Sequence, residues 1–154
     1  MQNHESNTAD RELSISRLFD APIHLMWEVW TDPDHVKNWW GPDGFTNTIT
    51  KMNVTPGGEW DLVMHAPDGT DHTYKCFFKE VSKNKRLVYE HLAWPKFIAT
   101  VDFESRAGKT FIRWQMLFES KEVLAEFVET HKADEGIKQN IEKLANYLIN
   151  TFNY

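Results

Sequence analysis

The sequence predicts an α+β fold, a curved antiparallel sheet of about seven strands closed by a long C-terminal helix. Three observations carry that prediction. Large apolar residues alternate with polar ones in successive runs between Phe45 and Phe118, and tight turns separate the runs. Two short helical stretches precede this block, between Pro22 and Trp40. Finally, Ile137, Ile141, Leu144 and Leu148 recur at helical spacing through Asp134 to Phe152, making one apolar stripe. A helix with a single stripe is not stable alone, and the apolar face of the sheet is the surface it lies on.

In chain order, residues 1–11 read as a polar tail without period, and 12–154 as one domain. Leu13 and Ile15 alternate with Ser14 and Ser16, which predicts a first strand from Glu12. Asp20-Ala21-Pro22 stops it and starts a helix, with Pro22 expected in the first turn, where a missing N–H costs nothing. Thr31-Asp32-Pro33 repeats the start signal for a second helix carrying Val36, Trp39 and Trp40, and Gly41-Pro42-Asp43-Gly44 ends it.

Phe45 to Val54 then reads as a strand, and Trp60, Leu62 and Met64 form the inner face of the next. Pro67-Asp68-Gly69 signals a hairpin into a strand from Asp71 to Val81. Three more strands are expected over Arg86 to Leu92, from Phe97 through Phe103, and from Ile112 through Phe118. Ser120 is placed to cap a helix bearing Val123, Leu124, Phe127 and Val128. In the last helix Asp134 is the expected N-cap, and Glu135 sits in the first turn, where the dipole favours it. Ala145 and Phe152 widen the apolar face, while Lys138, Asn140, Glu142 and Lys143 fall on the other side. A twisted sheet of this size curls, so a helix across its concave side encloses volume.

Composition excludes several function classes. The net charge of −6 and the scattered basic residues argue against nucleic-acid binding. The single cysteine, Cys76, has no internal disulfide partner, which suits a reducing compartment. No apolar run reaches membrane-spanning length and no signal-peptide core follows Met1, so a cytoplasmic protein is expected, with no membrane insertion. His4, His24, His35, His65, His72, His91 and His131 make no i,i+4 pair, so no metal site is expected. Seven Trp and ten Phe are many for 154 residues; they fill a thick core or line a cavity.

Several motifs stand together: Phe19-Asp20-Ala21-Pro22, Trp30-Thr31-Asp32-Pro33, Trp39-Trp40-Gly41-Pro42, Pro56-Gly57-Gly58-Glu59-Trp60 and Pro67-Asp68-Gly69-Thr70. With Glu135-Gly136 opening the last helix, the chain resembles the family named after the activator of the heat-shock chaperone ATPase, over about Glu12 to Leu148. That family belongs to the START-like superfamily, which also includes polyketide-cyclase-like and birch-allergen-like proteins. The resemblance implies a helix-grip fold, in which the sheet grips the long helix around a cavity. It also implies a ligand of lipid-like, polyketide-like or flavonoid-like character, because superfamily members bind such molecules.

The expected wall comprises Trp60, Met64, Phe97, Phe103, Trp114, Met116 and Phe118 from the strands, faced by Leu144 and Leu148 of the helix. Trp39 and Trp40 are expected at the mouth. Tyr74, His91 and Glu90 are the strand residues able to present a polar group inward, and alternation leaves open which of Glu90 and His91 does so. No catalytic residue and no cofactor are assigned. Two alternatives stand beside a binding protein: a cyclase- or hydrolase-type enzyme using the same cavity, and a partner of a heat-shock chaperone. In the eukaryotic activator, a separate N-terminal domain makes the main chaperone contact. This chain has no room for that domain, so the chaperone role is the weaker expectation.

Overall fold

Tight turns fold the middle of the chain back on itself into one seven-stranded sheet, ordered β1-β7-β6-β5-β4-β3-β2 with every pairing antiparallel. The computed structural model describes residues 8–154. The strands are β1 (Glu12–Phe19), β2 (Thr46–Met52), β3 (Glu59–His65), β4 (Asp71–Ser82), β5 (Arg86–His91), β6 (Phe97–Arg106) and β7 (Lys109–Phe118). Helices α1 (Ile23–Thr31) and α2 (Pro33–Trp39) follow β1, and α3 (Lys121–His131) and α4 (Ala133–Phe152) follow β7.

Alternation places one face of the sheet in the core. Trp60, Leu62 and Met64 of β3, Leu87 and Tyr89 of β5, and Phe97, Ala99, Val101 and Phe103 of β6 are buried, as the period-2 pattern predicts. Ladder registers shift between Ile49 and Lys51 in β2 and between Phe78 and Glu80 in β4. Such bulges bend the strand that carries them and increase the local twist. Ile137, Ile141, Leu144, Ala145 and Leu148 of α4 join the same core cluster as the sheet's inner residues. The result is the helix-grip arrangement, an antiparallel sheet around a long C-terminal helix.

At the hairpin before β3, only glycine fits at position 58, because a Cβ there would lie 2.0 Å from the Asn53 carbonyl oxygen.

Local details differ from expectation at several points. Ala9–Arg11 form a 3-10 turn, and the Arg11 guanidinium donates to the Phe118 carbonyl at 2.7 Å, so the expected tail is already tied down here. The rest of that tail, residues 1–7, lies outside the described residues. Pro22 is the N-cap of α1 and lies outside its first turn; its extended backbone lets the carbonyl accept from the N–H groups of Leu25 and Met26. Strand β2 is shorter than Phe45 to Val54.

Helix α4 begins at Ala133, so Asp134 sits in the first turn and is not the cap. The boundary is set by Lys132, whose left-handed backbone both ends α3 and opens α4. Asn140 is buried on the α4 face toward the core, against the expected polar side, because its amide serves backbone groups at the end of α2.

Candidate functional site

Between the sheet's inner face and the first turns of α4 lies a cavity of ≈ 600 Å³. Its sheet wall is built from Trp60, Leu62 and Met64 of β3, Tyr74 and Cys76 of β4, Tyr89 and His91 of β5, Phe97 of β6, and Trp114 and Met116 of β7. Register explains why these side chains meet. Trp60 pairs with Cys76, Cys76 with His91, and His91 with Phe97, so the four stand in one row across adjacent strands. A parallel row runs from Tyr89 through Ala99 to Met116 and Leu13.

The opposite wall is the segment from Trp40 to Phe45 together with Gly136, Ile137, Gln139 and Asn140 of α4. Helix α4 holds that segment through a dense set of hydrogen bonds. Asn140 Oδ1 accepts from the Gly41 N–H at 3.0 Å, and its Nδ2 donates to the Trp39 carbonyl at 2.8 Å. Gln139 Oε1 accepts from the Asp43 N–H at 3.1 Å. Lys143 Nζ donates to the carbonyls of Trp40, Pro42 and Phe45 at 3.2–3.3 Å. Gly41 has φ +94° and faces Met64, whose Cε would lie 2.9 Å from an added Cβ. The mouth segment is therefore built rigidly onto the helix.

The deep part of the cavity carries polar atoms but no charge. Burial pushes the Tyr74 hydroxyl and the Cys76 thiol each up to about 12, so both stay protonated at neutral pH. Tyr89 is raised well above its usual value by burial, and its hydroxyl oxygen accepts from Trp114 Nε1 at 3.3 Å. His91 faces inward, 1% exposed, while Glu90 turns to the outer face and meets Lys79 at 3.4 Å. That settles the choice left open by the sequence, because Leu87, Tyr89 and His91 share one face. Burial lowers the His91 pKa, so the ring is neutral; Nδ1 lies 2.7 Å from the Pro95 carbonyl oxygen. That carbonyl can only accept, so Nδ1 carries the proton.

The rim is a chain of rings. Phe45 lies 6.1 Å from His72, His72 6.0 Å from His131, and His131 5.9 Å from the exposed Trp94 and 5.3 Å from Phe127. Asp43, Lys132 and Glu135 add charge around it. His72 reaches the rim because it pairs with Met64 and shares its face; His65 pairs with Asp71 and turns outward, bonding that carboxylate at 2.7 Å.

Of the expected wall and mouth residues, Trp40, Trp60, Met64, Tyr74, His91, Phe97, Trp114 and Met116 line the cavity. Five others do not reach it. Trp39 turns into α1, where its indole N–H donates to the Val29 carbonyl at 2.9 Å. Phe103 packs edge-on against Trp27 at 5.1 Å and Trp30 at 6.0 Å. Phe118 is fully buried between Phe97 and Phe127. Leu144 and Leu148 are core residues further along α4, past the helix turns that face the cavity.

Cys76, expected from the sequence as a packing residue, and Tyr89 also line the cavity, in alternation with Tyr74 and His91. Phe127 lies on the apolar face expected of its helix, whereas Phe45 and His131 carry no periodic signal; that all three reach the rim depends on where the ends of elements meet.

Among the described residues, one group of metal-ligand type comes together: Glu28, Asp32 and His35 at the α1–α2 corner, with atoms within 4.8 Å of one another. No histidine pair at i,i+4 signals it, because a helix break brings its members together. It lies apart from the cavity. Asp32 Oδ1 accepts from the Asp34 N–H as the α2 cap, and His35 Nδ1 lies 2.6 Å from the Tyr147 hydroxyl. No helix among the described residues is long and apolar enough to cross a membrane.

Three solved structures show how widely this architecture recurs. The crystal structure of a protein from Nitrosomonas europaea has a TM-score of 0.84 at 23% identity, covering 95% of this chain and 99% of that one. The solution structure of a protein from Arthrobacter aurescens has a TM-score of 0.86 at 25% identity, covering 96% and 91%. An AHSA1-like protein from Aeromonas hydrophila has a TM-score of 0.76 at 20% identity, covering 93% and 95%. No curated protein matches the chain. The model of the family described as Activator of Hsp90 ATPase homolog 1-like protein matches residues 20–149. With that match spanning most of its length, the chain belongs to the family of Activator of Hsp90 ATPase homolog 1-like proteins.

Proposed function

We propose that the protein binds one small, neutral, apolar or aromatic molecule, lipid-like or polyketide- or flavonoid-like, in the cavity between sheet and α4. One observation carries this reading: a space of ≈ 600 Å³ walled by Trp, Tyr, Phe and Met, in which the deep titratable groups are all neutral. Charged side chains stand only at the rim, so a ligand enters with its apolar body inward. The rigid attachment of Trp40 to Phe45 onto α4 supports a preformed pocket. The unpaired thiol of Cys76 supports a cytoplasmic setting.

Native mass spectrometry of the protein purified from its own cells, followed by denaturation, tests the proposal. One apolar molecule released per chain is the expected result, with less from Met116→Trp, which narrows the cavity from β7. Equal uptake by both proteins would sink the reading.

A second reading, an enzyme of cyclase or hydrolase type, is favoured by one specific feature, the inward neutral His91 with its free Nε2 lone pair. Conversion of the released molecule on incubation with the protein, lost in His91→Phe, is its test. The chaperone-partner reading rests on the family's description alone, and a stable complex on mixing with the chaperone is what it requires.

A further inference from the structure

We infer that His91 selects the occupant of the cavity, and that this occupant is an aromatic or polycyclic alcohol or phenol whose O–H donates to His91 Nε2. The inference rests on the binding function proposed above. The geometry around His91 supplies the argument. The Pro95 carbonyl, 2.7 Å from Nδ1, fixes the ring proton on that nitrogen, so Nε2 presents a lone pair and nothing else. Nε2 is buried, and no group among the described residues donates to it. The ring's two faces are covered by Tyr74 at 4.4 Å and Phe97 at 5.3 Å, from the strands on either side of β5. Only the ring edge is left to meet a ligand.

Trp60 Nε1 is also buried without a hydrogen-bond partner. It is a donor, however, and its indole packs T-shaped against the rings of Trp40 at 4.9 Å and Tyr89 at 5.1 Å. Among the described residues, His91 Nε2 is therefore the buried acceptor of the cavity lining that lacks a donor. A ketone or carboxylate oxygen placed there would oppose one lone pair with another, whereas a hydroxyl satisfies it. The cavity's aromatic walls accept the rings that carry such a hydroxyl.

The test is titration calorimetry with 2-naphthol and 2-methylnaphthalene, which have the same shape and differ in the hydroxyl. The full chain and His91→Phe are compared at pH 8. Because the methyl compound is intrinsically the more apolar, the informative quantity is the ratio of the two affinities. That ratio is expected to fall about tenfold in His91→Phe, the size of one lost hydrogen bond to a buried acceptor. In the unmutated protein the His91 Nε2 nitrogen resonance is expected to shift on adding 2-naphthol and to stay in place with 2-methylnaphthalene. This second measurement needs no variant, so it decides the matter even if His91→Phe does not fold.

Binding of both compounds with an unchanged ratio and a stationary Nε2 resonance would overturn the assignment of His91 and leave the cavity's binding function standing. If neither compound binds, the binding function falls and the assignment falls with it.

Discussion

The side-chain oxygen of Asn140 accepts a hydrogen bond from the backbone N–H of Gly41 at 3.0 Å, so a buried amide on the last helix fixes the backbone at the cavity mouth. The same amide donates to the Trp39 carbonyl at 2.8 Å, and both backbone groups would otherwise be buried without partners. Asn140→Leu leaves one donor and one acceptor unsatisfied, a loss of about 2–3 kcal/mol. Urea denaturation of the two proteins measures it. A variant as stable as the parent would mean the mouth is held by Gln139 and Lys143 alone.

Leu144 and Met116 separate core from cavity. Leu144 is fully buried away from the cavity, so Leu144→Trp overpacks the core and destabilises the fold by about 1–3 kcal/mol or more. Met116 is half-buried and lines open space, so Met116→Trp has room and changes stability by less than about 1 kcal/mol. Thermal unfolding of both variants distinguishes the sites, and equal destabilisation would contradict the placement of Met116 on a cavity wall.

His91 makes stability depend on pH in a defined direction. Its folded pKa is lowered from 6.5 by burial, so below about 6.5 the unfolded chain takes up a proton that the folded chain resists. Stability due to this group is fully present above 6.5 and is lost as pH falls toward the folded value. The stability difference between the parent and His91→Phe, followed by denaturant titration from pH 8 to 5, is expected to shrink on acidification. A pH-independent difference would mean that the ring is not held neutral.

Cys76 is buried, and its thiol is pushed up to about 12 by burial. Thiol-reactive disulfide reagents at pH 8 are expected to label the native protein slowly and the urea-unfolded protein at once, since the thiolate is the reactive species. Rapid native labelling would show that the cavity opens far more often than its packing implies.

How far the site could be read ahead of the structure follows from where its residues sit. Trp60 and Met64 on β3, and Phe97 on β6, were legible because period-2 alternation states which side chains share a face. His91 and Glu90 were equally plausible inward residues until the face carrying Leu87 and Tyr89 was known to be buried. Leu144 and Leu148 lie on the correct face of α4, yet helical spacing cannot say at which turn a wall becomes solid core. The same limit explains Phe103 and Phe118, which share faces with cavity residues but stand where neighbouring rings fill the space. Asn140 looked solvent-facing because its type is polar. Only the backbone groups of Trp39 and Gly41, 101 and 99 residues earlier in the chain, make a buried amide favourable there.

By itself the sequence determined the order of elements, most of the faces they bury and the family the chain belongs to, because these depend on local periodicity, turn chemistry and short motifs. The tertiary structure alone decided where the cavity lies along α4, which aromatic rings line it, and that His91 stands at its wall with an unpartnered lone pair. Those outcomes depend on contacts between residues far apart in the chain, on strand register and on sheet curvature. No local pattern of residues encodes the space left between two packed surfaces.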